Sequence, residues 1–481
     1  MPLSVSGRPC AALLMGGAAI LACLPTNAKA QAGETPQQTG PTVEALLRLL
    51  VSQNVVSQAQ ADQLYAAAAA ETAATPRPVV IQTAPASAPV LATPTTMAQA
   101  TTDRPTDWSS GAPRFSNGQA TFRPRGRVLV DVSSTQGSDY DARNITTSAV
   151  RAVRLGAEGD FNDKLFYQAE AEFADNRTVV TSAYIGWRDD VFGTPLEVTL
   201  GQRLSDRSIE GSTSLEATPF LEQNVVASAL GPQKGLFGVG VQARLYGKGW
   251  HLSGQVAGDD LDADRSARDT MTVLARGHWN PIVRPDGFVH LGGWAFHETL
   301  STNQPAIVRT IALAGRNNEP GRLTSGALAP ANQGEGFGLE AGGVWRRGWA
   351  LAEWGERRFD YATAPSIQFD ATSLSAGLFL FGAKPSFSQK TGSWTKTRVA
   401  SPVTDGGPGA VELLMRWEDV DLGVPMVGGD GGAFTLGANW YLSDFSRLML
   451  NVIRWNTENR SGSYLGEDKG TSIVARAQVS F

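Results

Sequence analysis

The chain has 481 residues, 42% of them hydrophobic and 18% charged, with a formal net charge of −5. It is too apolar to be disordered throughout and too mildly charged for a nucleic-acid binder. Its two cysteines, Cys10 and Cys23, both lie in the first 24 residues. A chain cleaved after them has no thiol for a disulfide, a thiolate metal site or a nucleophile.

Arg8 supplies a weakly positive start, and Ala11 to Leu24 is an apolar run of 14 residues, too short to cross a membrane as a helix. Pro25 and the small-x-small site Ala28-Lys29-Ala30 follow. Residues 1–30 therefore read as a secretory signal peptide. Ile20-Leu21-Ala22-Cys23 also fits a bacterial lipoprotein box, which leaves lipidation of Cys23 as the alternative. Losing Arg8 and Lys29 leaves 39 basic residues against 46 acidic ones, a net charge of −7. No later run is long and apolar enough for a transmembrane helix.

Residues 31–72 predict a short helical hairpin. Val43, Leu46, Leu47 and Leu50 recur at helical spacing, and Ser57 is placed to cap a second segment through Glu71. Residues 73–124 are rich in Pro, Thr and Ala and predict a disordered linker.

From 125 to 481 the pattern changes to segments of about ten residues that alternate apolar and polar, the pattern of transmembrane barrel strands. Leu165, Tyr167, Ala169, Ala171 and Phe173 share one face, and Phe166, Gln168, Glu170 and Glu172 the other. Phe434, Leu436, Ala438, Trp440 and Leu442 likewise oppose Thr435, Gly437, Asn439 and Tyr441. Strands are expected near 125–133, 148–160, 164–174, 178–188, 195–204, 234–246, 249–258, 269–280, 287–298, 336–346, 349–360, 368–381, 410–422, 432–442, 445–456 and 471–481. Sixteen is an even number, as single-chain bacterial outer-membrane barrels require. Strands 287–298, 349–360 and 445–456 have mixed faces. Outer loops are expected at 134–147, 205–233, 299–335 and 457–470, and tight turns at 161–164, 247–248 and 443–444. Two connections break the rule: the outer one after Phe173 is short, and 382–409, periplasmic by parity, is long. A soluble β-sandwich also alternates, but the outward faces here are rich in Ala and Gly. They also carry Trp187, Trp250, Trp279, Trp417 and Trp440 near strand ends, as an interfacial girdle does.

Ala152-Val153-Arg154-Leu155-Gly156-Ala157-Glu158-Gly159 resembles the Arg-bearing early strand of the phosphate-selective porins O and P. Ala183-Tyr184-Ile185-Gly186-Trp187 and Leu196 to Gln202 resemble the family's next strands. Glu412 to Trp417, Leu436 to Leu442 and Arg447 to Asn451 are similar to its late ones. The resemblance implies a homotrimer of sixteen-stranded barrels in the bacterial outer membrane, the N-terminal segment lying in the periplasm. It also implies basic residues lining a lumen narrowed by inward loops, no cofactor and no enzymatic role. Terminal Phe481 is, by the same resemblance, a signal read by the barrel assembly machinery.

By parity the inward bases are Arg154, Arg188, Arg203, Arg244, Arg276, Arg416 and Arg476. The inward acids are Glu158, Asp160, Glu170, Glu172, Glu197, Glu412 and Glu418. Loop 205–233 is the candidate constriction, with Arg203 and Arg207 at its start and Lys234 at its end. Phosphate selectivity needs several such cations on a narrow path. The near-even balance fits a general pore for small hydrophilic solutes as readily as an anion or phosphate filter. A structural anchor, joining the membrane to the periplasm through the N-terminal segment, is the alternative class.

Other motifs carry little. Asp260, Asp262 and Asp264 have calcium-loop spacing but lack the Gly and the final Glu. Gly336-x-Gly338-x-x-Ala341 sits inside a strand rather than at a strand-to-helix turn. His297 beside Glu298 is the one hint of barrel hydrolase chemistry, with no G-x-S-x-G to support it.

Overall fold

The computed structural model describes residues 111–233, 237–261, 270–301, 306–423 and 427–481. The expected signal peptide, helical hairpin and linker as far as residue 110 lie outside the described residues, as do Lys234, Asp262 and Asp264.

Sixteen strands form the wall: β1 (Thr121–Gln136), β2 (Thr146–Asp160), β3 (Leu165–Glu172), β4 (Val179–Val191), β5 (Thr194–Gln202), β6 (Val239–Gly247), β7 (Trp250–Ala257), β8 (Met271–Arg284), β9 (Gly287–Thr299), β10 (Gln333–Trp345), β11 (Gly348–Asp360), β12 (Ile367–Phe381), β13 (Ala410–Asp421), β14 (Gly429–Ser443), β15 (Ser446–Asn459) and β16 (Gly466–Ser480). Each pairs antiparallel with its neighbours. β16 returns to β1, from Arg127 opposite Ser480 to Gln136 opposite Thr471, so the cylinder has no free edge. The barrel begins at Thr121 rather than 125. Pro124, read in the sequence as linker, sits opposite Ala157 near the start of β1, where a missing N–H costs little.

Alternation sets the two faces. Outward residues such as Leu200, Leu339, Leu436 and Ile473 are exposed, as a lipid-facing wall requires, while their neighbours in sequence turn inward. The five tryptophans expected on the outside are all exposed there. Trp187, Trp250, Trp279, Trp345 and Trp440 ring the end that carries the tight turns. Phe337, Trp417 and Phe434 mark the other, where Trp417 pairs with Phe434. Phe337 and Trp345 are eight residues apart on β10, about 27 Å of strand, or roughly 21 Å along the axis at a usual tilt. That matches a membrane's apolar band. From Glu356, which stands across from Phe337 of the second ring, Asp370, Asp421, Asp430, Glu458 and Glu467 follow directly across from one another, one residue on each of six adjacent strands, β11 to β16. A row of carboxylates belongs in water or headgroups, and it closes the band. Short turns face the periplasm in such barrels, so this row lies at the outer end.

Terminal Phe481 continues the closing seam. Its N–H donates to the Gly126 carbonyl and its carbonyl accepts from the Gly126 N–H, both at 2.9 Å. A Cβ at Gly126 would come within 2.7 Å of the Phe481 ring, so glycine makes room for it.

Candidate permeation pathway

Three segments fill much of the cylinder. The third outer loop, L3, leaves β5 and folds inward over residues 203–233. It includes one short helix, α1 (Val225–Ala229), capped by the Asn224 side chain accepting from the Ala227 N–H at 2.9 Å. The outer connection after β9 descends beside it over residues 306–332. Leu300, Ile307, Ile311, Leu313 and Leu328 pack with Val225, Val226 and Leu230 of L3 against Trp294, Phe296, Phe359 and Phe369 of the wall. These inward aromatics, with Met449, Ile453 and Trp455 of the same cluster, are why β9, β11 and β15 have mixed faces in the sequence: part of their inner side meets apolar loop rather than water.

The third segment is the long periplasmic connection 382–409. It turns back into the lumen as a small hairpin, Phe387–Ser388 paired with Ser393–Trp394. Arg276 donates to the carbonyls of Thr391 and Gly392 at 3.0 and 2.6 Å, and Asn280 donates to that of Gln389 at 2.9 Å. The Trp394 N–H donates to the Thr213 hydroxyl of L3 at 3.1 Å, so the two insertions meet. Phe387 and Trp394 pack there with Ile209, Phe220, Phe288 and Trp349. A long periplasmic connection, out of place in a plain barrel, is thus part of the lumen filling.

Ion pairs hold L3 to the wall. Glu222 takes two hydrogen bonds from Arg151, at 2.7 and 2.8 Å, and one from Arg476 at 2.8 Å. Burial opposes its charge, but Arg151 and Arg476 prevail and hold the carboxyl at about 2. Asp206 faces Arg276 at 3.0 Å, His251 at 3.0 Å and Arg244 at 3.4 Å. Glu210 accepts from Arg416 at 3.2 Å and from the Asn224 N–H at 2.6 Å. Burial nonetheless pushes it up to about 8, against Arg416 and with the help of Glu353 and Glu418.

The filling is one-sided. Along β8 to β11 the inward charges are shut away: Arg276, Glu298, Glu340 and Arg357 have fully buried side chains. Along β1 to β5 several keep water: the side chains of Arg123, Arg125 and Arg188 are 28%, 22% and 47% exposed, while Arg127, Asp131 and Glu170 are buried. Water therefore reaches the lumen along β1–β5. A periplasmic cavity of 460 Å³ is lined by Arg114, Arg123, Arg188 and Arg203 against Glu158, Asp160 and Glu197. Beside it, one of 290 Å³ is lined by Arg123, Arg125, Arg127, Lys396 and Arg398 against Glu170 and Glu216. Nearer the outer side, a cavity of 230 Å³ has Arg151, Arg316, Arg322, Arg416 and Arg476 against Asp131, Glu222 and Glu418. Bases outnumber acids in all three, although the chain is acidic overall.

The sequence-expected residues divide accordingly. Arg154 lies on the water side, bonded to Glu172 at 2.8 Å and Glu170 at 3.2 Å. Arg188 meets Asp160 at 3.1 Å, and Arg203 meets Glu197 at 2.7 Å. Arg416 and Arg476 line the outer cavity but are mostly buried in ion pairs. Arg244 and Arg276 are spent on anchoring Asp206. Arg207 lies inside L3 and donates to the Ala227 carbonyl, away from the water path. His297 is exposed on the outside while Glu298 is buried within against Arg357, so the two do not form a pair.

Sequence reasoning missed Arg123, Arg125, Arg127, Arg151 and Lys396. The first three alternate at the strand period, but a strand begun at 125 leaves Arg123 out and cuts the run to two. Arg151 breaks parity because β2 bulges there: Leu129 pairs with Ala152 and Val130 with Val150, leaving Arg151 unpaired and aimed inward. Lys396 rides on the folded-back hairpin. Among the described residues no cluster of His, Cys, Asp or Glu could hold a metal ion.

The chain is similar to several known proteins. A protein of Caulobacter vibrioides with no assigned function is 28% identical over 466 residues, covering 92% of this chain and 89% of its own. The trimer form of OmpT from Vibrio cholerae superposes with a TM-score of 0.46 at 13% identity, over 76% of this chain and all of OmpT. An anion-selective porin from Comamonas acidovorans gives 0.46 at 14% identity, with the same coverage. The model of the phosphate-selective porin O and P family matches residues 122–481, which is the whole barrel, and the chain belongs to that family.

Proposed function

We propose that this outer-membrane porin lets small hydrophilic anions diffuse passively along the β1–β5 side of its lumen, past Arg123, Arg125, Arg127, Arg154, Arg188 and Arg203. The observation that carries this reading is the excess of bases over acids in each of the three lumen cavities. A wetted wall of fixed cations raises the local concentration of anions and depletes cations.

The same geometry favours a broad anion preference over dedicated capture of phosphate. Tight capture needs guanidinium groups free to fork onto phosphate oxygens. Here Arg125 already holds Glu158 at 2.6 Å and Glu170 at 2.7 Å, Arg154 holds Glu172, and Arg203 holds Glu197. A passing anion must compete with those carboxylates, which keeps it mobile. The narrowest stretch on this reading lies where L3 residues 214–222 cross in front of Arg127 and Arg151. A homotrimeric state, delivery by the assembly machinery through Phe481 and a periplasmic N-terminal segment complete the proposal.

The test is conductance of the purified channel in a planar bilayer. A reversal potential toward the chloride equilibrium value in a KCl gradient supports anion preference, and a cation-selective one refutes it. Phosphate added to chloride should reduce the current only at millimolar levels. Block at micromolar levels would favour a dedicated phosphate site instead.

A further inference from the structure

The outer wall carries a feature that permeation does not use. At the periplasmic end of β9–β12 a groove of 820 Å³ opens toward the membrane. Its outward lining is Ile282, Val289, Gly343, Trp345, Ala350 and Leu378. The floor follows from register: Val289, Gly343, Ala350 and Ala376 stand side by side on adjacent strands, so three strands of minimal side chain lie beside Val289, with Trp345 and Leu378 two residues further along β10 and β12. Strand spacing puts β9 and β12 about 14 Å apart, with the trough between them. Its volume is that of a small-molecule site rather than of surface roughness.

The groove ends in positive charge. The two turns at its mouth carry Arg284, Arg346 and Arg347, with Asp286 as the counter-charge 3.6 Å from Arg346. The Arg346 side chain is 75% exposed, so that pair leaves it open to another partner. Arg347 spends one N–H on the Leu380 carbonyl at 2.9 Å and keeps the others. Polarity along the wall is specific to this end, because the outer end of β11–β16 carries the carboxylate row instead. An anionic headgroup is attracted at the one and repelled at the other.

We propose that this groove binds an anionic glycerophospholipid of the periplasmic leaflet, with its acyl chains in the trough over Gly343 and Ala350 and its phosphate on Arg346 and Arg347. The ligand is a structural lipid with its own site, distinct from the bulk lipid that wets the rest of the wall. A guanidinium pair at headgroup depth recognises the phosphate, and the missing side chains admit the tail.

Native mass spectrometry of the full chain in detergent, with phosphatidylglycerol or phosphatidylethanolamine added at equal concentration, tests it. The wild type should retain one phosphatidylglycerol per subunit at least tenfold more readily than phosphatidylethanolamine. The double variant R346Q/R347Q should lose that preference. A350L, which fills the trough from an exposed position, should lower retention of both lipids. Heat-modifiable migration on gels confirms that each variant remains a folded barrel. Equal retention of the two lipids by the wild type, or unchanged retention in both variants, overturns the proposal. So does a finding that A350L breaks the oligomer without altering lipid retention, because the groove would then be a contact between copies of the chain.

Discussion

Arg125→Glu is the sharpest probe of the pathway. Arg125 bridges Glu158 and Glu170 on the wetted wall, within a cavity whose lining has five bases and two acids. Reversal leaves four and three, so the local excess falls from three charges to one. An ion passing about 8 Å away at an effective dielectric of about 40 feels about 1 kcal/mol per unit charge. Screening at 0.1 M salt, with a Debye length of about 10 Å, halves this. Exchanging +1 for −1 then disfavours an anion by about 1 kcal/mol and favours a cation by as much. The permeability ratio should fall about thirtyfold, and about fivefold for the neutral Arg125→Gln. The assay is the zero-current potential across a planar bilayer in a KCl gradient. Arg358→Glu, a charge reversal on the outside of the wall, serves as the control and should leave the potential unchanged. A ratio in R125E within a factor of two of wild type would mean that ions do not pass β1, and the β1–β5 route would fall.

Four further outcomes follow from the same geometry. Trp394→Ala removes the ring that packs on Trp349 at 4.7 Å and Phe387 at 5.3 Å, so the periplasmic hairpin should undock and single-channel conductance should rise; unchanged conductance would show that the hairpin does not narrow the path. Burial, with Arg123 beside it, lowers the Lys396 ammonium to about 8, so it is charged below that pH and neutral above. Anion preference should therefore fall between pH 7 and 9 in the wild type and stay flat in Lys396→Gln, as reversal potentials will read. Glu222 is held at about 2, below its unfolded value, so its contribution to seating L3 is complete above about pH 4.5 and is lost as pH falls toward 2. Current records should become noisy in that acid window, and Glu222→Gln should bring the noise to neutral pH. Gly126→Val puts a branched side chain where the Phe481 ring lies, and the yield of heat-modifiable barrel in an assembly assay should drop several-fold.

The wall was legible in the sequence because one rule governs it. A strand between lipid and water must alternate, and Leu165 to Glu172 or Ile473 to Ser480 show that period without interruption. The lumen was legible only where the same rule still held. Arg154, Arg188 and Arg203 were found by parity, whereas Arg151 was hidden by a single bulge that turns one residue against the count. Trp294, Phe296 and Phe359 spoiled the alternation of β9 and β11 because their partners are loops rather than water, and no local period reports what a loop will do. Inward residues listed strand by strand give near-equal bases and acids, since all contribute alike. Folding sorts them: it takes Arg276, Arg416, Arg476, Glu412 and Glu418 largely out of water, and it brings Lys396 and Arg398 to the periplasmic mouth of the lumen on a segment that parity assigns to the periplasm. What the fold adds is that sorting of charges between dry and wet. It is set by long-range contacts such as Trp394 on Thr213, and so it belongs to the folded barrel rather than to any stretch of its strands.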